Sequence, residues 1–456
     1  MRVPLGDQLL LVAACGAYLL VMMDYSVINV SLHTIQLRFG VTTAGLQWTV
    51  NAYEILFGTL ILPAGFLADR YGHRRVLLGG LLLFALASAG IALSRGIGDL
   101  IAWRAVMGIG GAAIPATTLA LVKNGPSTAR TGRTIGVWAA MPGASFALGP
   151  VLGGALAGSG AWWAPFLVNI PVALGCALIV AWRGTDPVRA RTTRLDWHGV
   201  LLVIGCCGTL LLGMSRAGGP EGWSDPAVAG FLGTSAALAA WLIRTSAKHQ
   251  SPVLDLPLFR DRAFAAGTAA ISLIFFALSG AIFLIPTYLQ VLRGETALDA
   301  GLTMVSLAVG SMAASAAAGA VQAVAGRRVT GTSGMLAILA GLAGFAVMGE
   351  TTPAPWAWCW FALMGIGLGL VSAVSTPLAM SSVAPDRAGT AAGSTTLVRT
   401  TSSAISVALL GTLCSFAGGA DVAVLGEFRT AMWIAAGAAS AGALVTVFFF
   451  PRKGSS

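Results

Sequence analysis

The chain has 456 residues, of which 56% are hydrophobic and 10% charged, where a soluble domain carries roughly a quarter charged. Mean hydropathy is +0.83 and the formal net charge is +10. These values exclude a soluble enzyme, a disordered chain and a disulfide-built secreted scaffold. The basic residues are spread through short loops rather than clustered, which argues against nucleic acid as a partner. A spanning helix needs ~20 mostly apolar residues. In chain order such segments fall near 9–30, 45–67, 76–94, 99–121, 134–158, 164–182, 198–215, 226–244, 263–287, 299–322, 332–349, 355–380, 391–416 and 430–450. The expected fold class is therefore an all-α polytopic membrane protein with fourteen transmembrane helices.

The loops between these segments alternate in charge. Twenty of the 27 Lys and Arg residues fall on one side, five on the other, and Arg104 and Arg399 lie within spans. Cytoplasmic loops hold the basic excess, so both termini are expected in the cytoplasm. Arginine outnumbers lysine 24 to 3, a bias typical of a GC-rich bacterial genome; the expected location is a bacterial cytoplasmic membrane. The longest basic loops, near 183–197 and 245–262, bracket the seventh and eighth spans. The predicted division is a six-helix bundle over 1–183, a linker with two extra helices over 184–262, and a second six-helix bundle over 263–456. Such a layout suits two bundles that rock around a central site. The N-terminus has one basic residue, a long apolar stretch and no small-residue cleavage site, so it reads as a retained first helix.

The six cysteines lie within apolar spans and none has metal-ligand spacing, so they read as small packing side chains and no metal site is expected. No catalytic residue is expected either. The four histidines sit at span ends or in loops, without a cysteine or acid cluster of the kind an enzyme would use.

Four ionisable side chains fall inside spans: Asp24, Glu54, Arg104 and Arg399. Each costs ~2.5–3.5 kcal/mol near mid-helix on insertion scales, so such groups face a bundle interior or a cavity. At 1.5 Å per residue Asp24, Glu54 and Arg104 come to similar depth in one half of the membrane. An arginine that moves toward or away from a buried carboxylate switches it between releasing and holding a proton. Asp24, Glu54 and Arg104 are thus the candidates for proton coupling; a static ion pair that only fixes helix packing is the alternative. Gln47, Asn51 and Glu54 share one helix face at i, i+4 and i+7, and Asn29 could reach the same cavity. Tyr25, Tyr53, Trp138, Met141, Phe146, Phe276 and Tyr288 are candidates for an aromatic, apolar binding wall, with Arg399 beside it.

Four segments together resemble one family. Gly65-Phe66-Leu67-Ala68-Asp69-Arg70-Tyr71-Gly72-His73-Arg74-Arg75 resembles the signature loop of the major facilitator superfamily, a cytoplasmic latch carried by Gly65, Asp69, Arg70, Gly72 and Arg74. Met23 through Val30 resembles the helix-1 motif of the 14-span drug:proton antiporters, whose aspartate, here Asp24, couples the proton. Arg104 through Gly108 resembles the helix-4 arginine motif. Ala147 through Gly154 resembles the antiporter motif of helix 5, with Gly149, Pro150, Gly153 and Gly154. Asn169-Ile170-Pro171 and Gly389 through Arg399 add weaker matches. Several positions depart from the pattern. His33 stands where proline is common and Met107 where glutamine is common, and Glu54 holds a position that is usually uncharged. The 122–133 loop lacks the acid expected to partner the signature loop's arginines.

The resemblance implies a major facilitator fold and a proton-coupled antiporter that exports hydrophobic or amphipathic drugs or antibiotics by alternating access. It would run on the proton gradient with no bound cofactor, as a functional monomer in the lipid bilayer, with a small amphipathic substrate and protons as its partners. A proton-coupled carrier of one metabolite is the competing reading, and a membrane-embedded sensor or enzyme the reading from another class.

Overall fold

The computed structural model describes residues 5–123, 131–157, 161–184, 196–218, 222–246, 252–349, 352–384, 387–414 and 422–451. Among these it contains thirteen α-helices: α1 (Leu5–Phe39), α2 (Thr43–Tyr71), α3 (His73–Ala92), α4 (Ile97–Lys123), α5 (Thr131–Ala157), α6 (Ala164–Arg183), α7 (Trp197–Ala217), α8 (Pro226–Ser246), α9 (Arg262–Val291), α10 (Ala297–Val347), α11 (Ala354–Ser381), α12 (Ala388–Leu413) and α13 (Val422–Phe449). No strand occurs among the described residues. Twelve of the helices are long and apolar enough to cross a membrane, and α5 contributes the shorter apolar stretch Gly143–Leu156. In hydrocarbon every backbone N–H and C=O must be satisfied within its own segment, so a chain this apolar is driven into long helices. Prolines at 63, 115, 171, 286 and 377 sit inside helices without ending them, as bundle neighbours permit.

Two expected spans, 299–322 and 332–349, are parts of the 51-residue α10. Its helical path is broken at Gly326, where φ is +81°. Residues from both sides of that break meet the same stretch of α11. Gly365 packs on Leu307 and Gly369 on Ser311, while Gly367 packs on Gly334 and Ile338. In a straight helix Leu307 and Ile338 would be ~46 Å apart, so α10 folds back on itself at Gly326. Gly72, between α2 and α3, is built alike: φ is +105°, its N–H bonds Ala68 O at 2.8 Å, and basic residues follow it as they follow Gly326. Only glycine holds such a φ without strain, which is why each turn needs a single linking residue.

Helices α1 to α6 pack among themselves, chiefly α2 and α3 on α4, α5 and α6 on α1, and α6 on α3. Helices α9 to α13 do likewise, with α9 against α11, α12 and α13. The two groups meet along α2–α12, α5–α10 and α1–α9. α7 pairs with α8 and leans on α2 and α12. Of the most apolar 18 residues, 78% are buried in α9 and 17% in α8. α9 is thus a central helix, and α8 keeps an apolar surface that suits lipid. Of the cysteines, Cys15, Cys176, Cys207 and Cys414 are buried, Cys206 is half-buried and Cys359 is exposed; all are free.

Candidate functional site

The helix contacts bring Asp24 of α1 against Arg104 of α4, and both side chains are 1% exposed. A guanidinium Nη1 of Arg104 donates to Asp24 Oδ2. Its Nε donates to the Thr49 carbonyl of α2 at 2.9 Å, and its Cζ lies 4.5 Å from the Tyr53 ring centroid. Met107, standing where glutamine is common in the family that the sequence resembles, offers its thioether sulfur to the same guanidinium at 3.5 Å. The second oxygen of Asp24 accepts from Asn169 Nδ2 of α6 at 3.4 Å. One charge pair therefore ties four helices, α1, α2, α4 and α6. Both partners are held by other groups, so the pair is set rather than merely near.

Glu54 lies on α2, 3% exposed, and neither carboxyl oxygen has a hydrogen-bond partner. The hydroxyls of Tyr25 and Ser403 and the guanidinium groups of Arg399 and Arg104 lie around it. On the same face the amide oxygens of Asn51 and Gln47 are buried without partners, and Gln47 Nε2 donates to Ala408 O of α12 at 3.2 Å. The stripe read from the sequence is thus one buried row of acceptors facing the second group of helices. Asn29 turns instead to its own helix, bonding Tyr25 O at 2.9 Å.

The expected aromatic wall divides. Tyr25 is half-buried and edges Phe146 at 6.0 Å; Trp138 stacks on Tyr18 at 4.4 Å and donates to Thr118 Oγ1 at 3.1 Å. Met141 and Phe276 are half-buried on α5 and α9. Arg399 is half-buried and lies over Phe275 at 4.7 Å. Two residues are fully buried. Tyr53 is buried beneath Arg104, with its hydroxyl on Val21 O at 3.4 Å. Tyr288 is fully buried and stacked on Phe428 at 4.1 Å, in the packing of α9 against α13. A residue's type and span do not fix which side of its helix faces the centre.

The glycine motif of α5 sits where α1, α5 and α10 converge. A Cβ at Gly149 would be 3.0 Å from the Met23 carbonyl, and one at Gly153 3.0 Å from the Val27 carbonyl. A Cβ at Gly154 would fall 2.8 Å from Leu298 Cα, and Gly301 of α10 packs on the Pro150 carbonyl. Small residues let helices approach at backbone distance in lipid, and this motif does so on two neighbours at once.

In the signature loop, Arg74 Nε donates to Val180 O at 3.2 Å and its Nη2 to Ala181 O, at the C-terminal end of α6. A cation there offsets the helix dipole; Val180 O also accepts from the Gly184 N–H at 2.9 Å, while Ala181 O is among the last carbonyls of the helix. Asp69 pairs with His73 at 3.5 Å and Arg70 lies 5.4 Å from the Tyr71 ring; Gly65 has open space around it. The loop 124–130 lies outside the described residues, as does the side chain of Arg133.

Asn169, Ser279 and Ser403 are the polar groups the sequence reading assigned no role. Asn169 carried a signal in the Asn-Ile-Pro run. Serines are common in apolar helices, so Ser279 and Ser403 carried none.

A many-span helical membrane protein with an acid–base pair sealed among its helices has the build of a transporter. The Major Facilitator Superfamily profile matches residues 14–407, and the chain belongs to that family of membrane transporters. It is 33% identical over 412 residues to the Multidrug resistance protein Stp of Mycobacterium tuberculosis, covering 89% of this chain and 76% of that one. It is 29% identical to the Tetracenomycin C resistance and export protein of Streptomyces glaucescens, covering 88% and 75%. It is 30% identical to the Methylenomycin A resistance protein of Streptomyces coelicolor, covering 90% and 86%. Among solved structures, a bacterial homolog of the human lysosomal transporter Spinster, inward-facing and occupied, superposes with a TM-score of 0.73 at 13% identity over 100% of both chains, a likeness of fold alone.

Proposed function

We propose that this protein is a proton-driven exporter of hydrophobic or amphipathic drugs or antibiotics in a bacterial cytoplasmic membrane, working by alternating access. Relatives named for multidrug resistance and for antibiotic resistance or export support the cargo class. The observation that carries the coupling is the sealed Asp24–Arg104 pair with Asn169 on the second carboxyl oxygen. A proton arriving on Asp24 cancels its charge and its hold on Arg104. Arg104 keeps the Thr49 carbonyl and the Tyr53 ring, so it stays with α2 while α1 is freed to shift. Substrate binding that favours the shifted state raises the proton's departure on the other side, and the gradient drives the cycle. Each proton brings ~2.3 kcal/mol per 100 mV of membrane potential.

The arrangement has fourteen spans, both termini in the cytoplasm, bundles over 1–183 and 263–456, and an added pair over 184–262. The fold-back at Gly326 supports two spans within α10, and α5 with its tight helix contacts supports a further one. The protein acts as a monomer without a bound cofactor.

The test is Asp24→Asn in inverted vesicles. The variant inserts normally but no longer releases protons when drug is added, and cells carrying it lose resistance. Wild-type proton release and resistance in this variant would remove Asp24 from the mechanism.

A further inference from the structure

The Tyr25 hydroxyl of α1 lies 3.1 Å from Ser279 Oγ of α9 and 3.3 Å from Ser403 Oγ of α12, and Ser403 donates to Ser279 at 2.7 Å. Three hydroxyls close a ring that joins the first group of helices to the last. They carry three protons, which the three bonds of the ring consume. Glu54 faces Tyr25 and Ser403 from outside this ring, with both carboxyl oxygens buried and unpartnered. A buried carboxylate without a donor is strongly disfavoured, so the closed ring belongs with a neutral Glu54. Once the carboxyl is ionised it becomes the stronger acceptor, because hydrogen bonds to ionised groups are roughly twice as strong as neutral ones. Ser403 or Tyr25 then turns its hydroxyl to Glu54, and the ring opens.

We propose that Glu54 is a second proton site, separate from the Asp24–Arg104 pair, and that its occupancy closes or opens the Tyr25–Ser279–Ser403 ring between the two groups of helices. This rests on the proton-coupled reading above. The ionisable groups around Glu54 are Tyr25 of α1, Tyr53 of α2, Arg104 of α4 and Arg399 of α12, and neither arginine bonds it. Arg104 is committed to Asp24 and Thr49, and Arg399 to the Phe275 ring. The unpartnered amide oxygens of Asn51 and Gln47 continue from Glu54 toward the start of α2.

The test reads conformation without substrate. Nitroxide labels are placed at the exposed positions Trp182→Cys on α6 and Val329→Cys on α10, with exposed Cys359 replaced by serine, in lipid nanodiscs. The distance distribution between the labels shifts between pH 5.5 and pH 8.5. Glu54→Gln holds the low-pH distribution at both values. Tyr25→Phe and Ser403→Ala hold the high-pH distribution, because the ring cannot close. Asp24→Asn still responds to pH. A wild-type distribution that ignores pH, or a Glu54→Gln variant that shifts as wild type does, overturns the proposal. If Glu54→Gln shifts normally while Asp24→Asn is dead in the vesicle assay, the second site falls and the export reading stands. If wild-type vesicles show no drug-induced proton release, the export reading itself falls.

Discussion

Removing Arg104 alone should harm the protein more than removing Arg104 and the charge of Asp24 together. In Arg104→Ala the Asp24 carboxylate stays 1% exposed, with only the 3.4 Å bond from Asn169. Breaking a buried ion pair on one side costs about 3–5 kcal/mol, because the remaining charge is stranded. Asp24→Asn in the same background deletes that charge. What then remains lost is the stacking on Tyr53, worth about 2 kcal/mol when desolvated, and the packing of the guanidinium. The double variant should therefore be about 1–3 kcal/mol more stable than Arg104→Ala, the remainder after the stacking term is set against the ion-pair cost. The measurement is the unfolding midpoint of purified protein in detergent, for the wild type, both single variants and the double. Equal instability of the two variants would refute the reasoning.

The helix-crossing motif and the one-residue turns give further tests. Gly154→Val should leave insertion intact but cut drug export by an order of magnitude or more, because its Cβ meets the α10 backbone at Leu298. Wild-type export in inverted vesicles would mean that α5 and α10 need not stay close. Gly326→Ala should cost about 1–3 kcal/mol, the penalty for a residue with a Cβ in a backbone region essentially reserved for glycine. It should lower the unfolding midpoint about as much as Gly72→Ala; a neutral Gly326→Ala paired with a costly Gly72→Ala would show that the two turns are not equivalent.

The membrane class and most helix positions were legible because both follow from local composition. A run of ~20 apolar residues has one stable form in lipid, and turns such as Gly72 announce themselves through glycine beside charge. The 299–322 and 332–349 segments were read as separate spans, and the structure joins them through Gly326 as one broken helix. The difference is small in space, since a single residue at φ +81° turns the chain. The candidate site was legible in its charges. Asp24, Glu54 and Arg104 stood out because an ionisable side chain in an apolar run is expensive wherever it points. The packing partners of Tyr288 and Tyr53 were not legible, because an aromatic ring is at home on any face of such a helix, and its cost does not reveal its neighbours.

The sequence by itself determined a many-helix membrane protein with a few costly charges inside it, since hydropathy and charge act residue by residue. Only the tertiary structure decided that Asp24 is paired and Glu54 is not. It also decided that Asn169 completes the first acid's shell, and that three unremarkable hydroxyls from α1, α9 and α12 meet beside the second. Pairing depends on how helices distant in the chain are rotated and offset against one another. That is set by packing across the whole bundle, and no single segment encodes it.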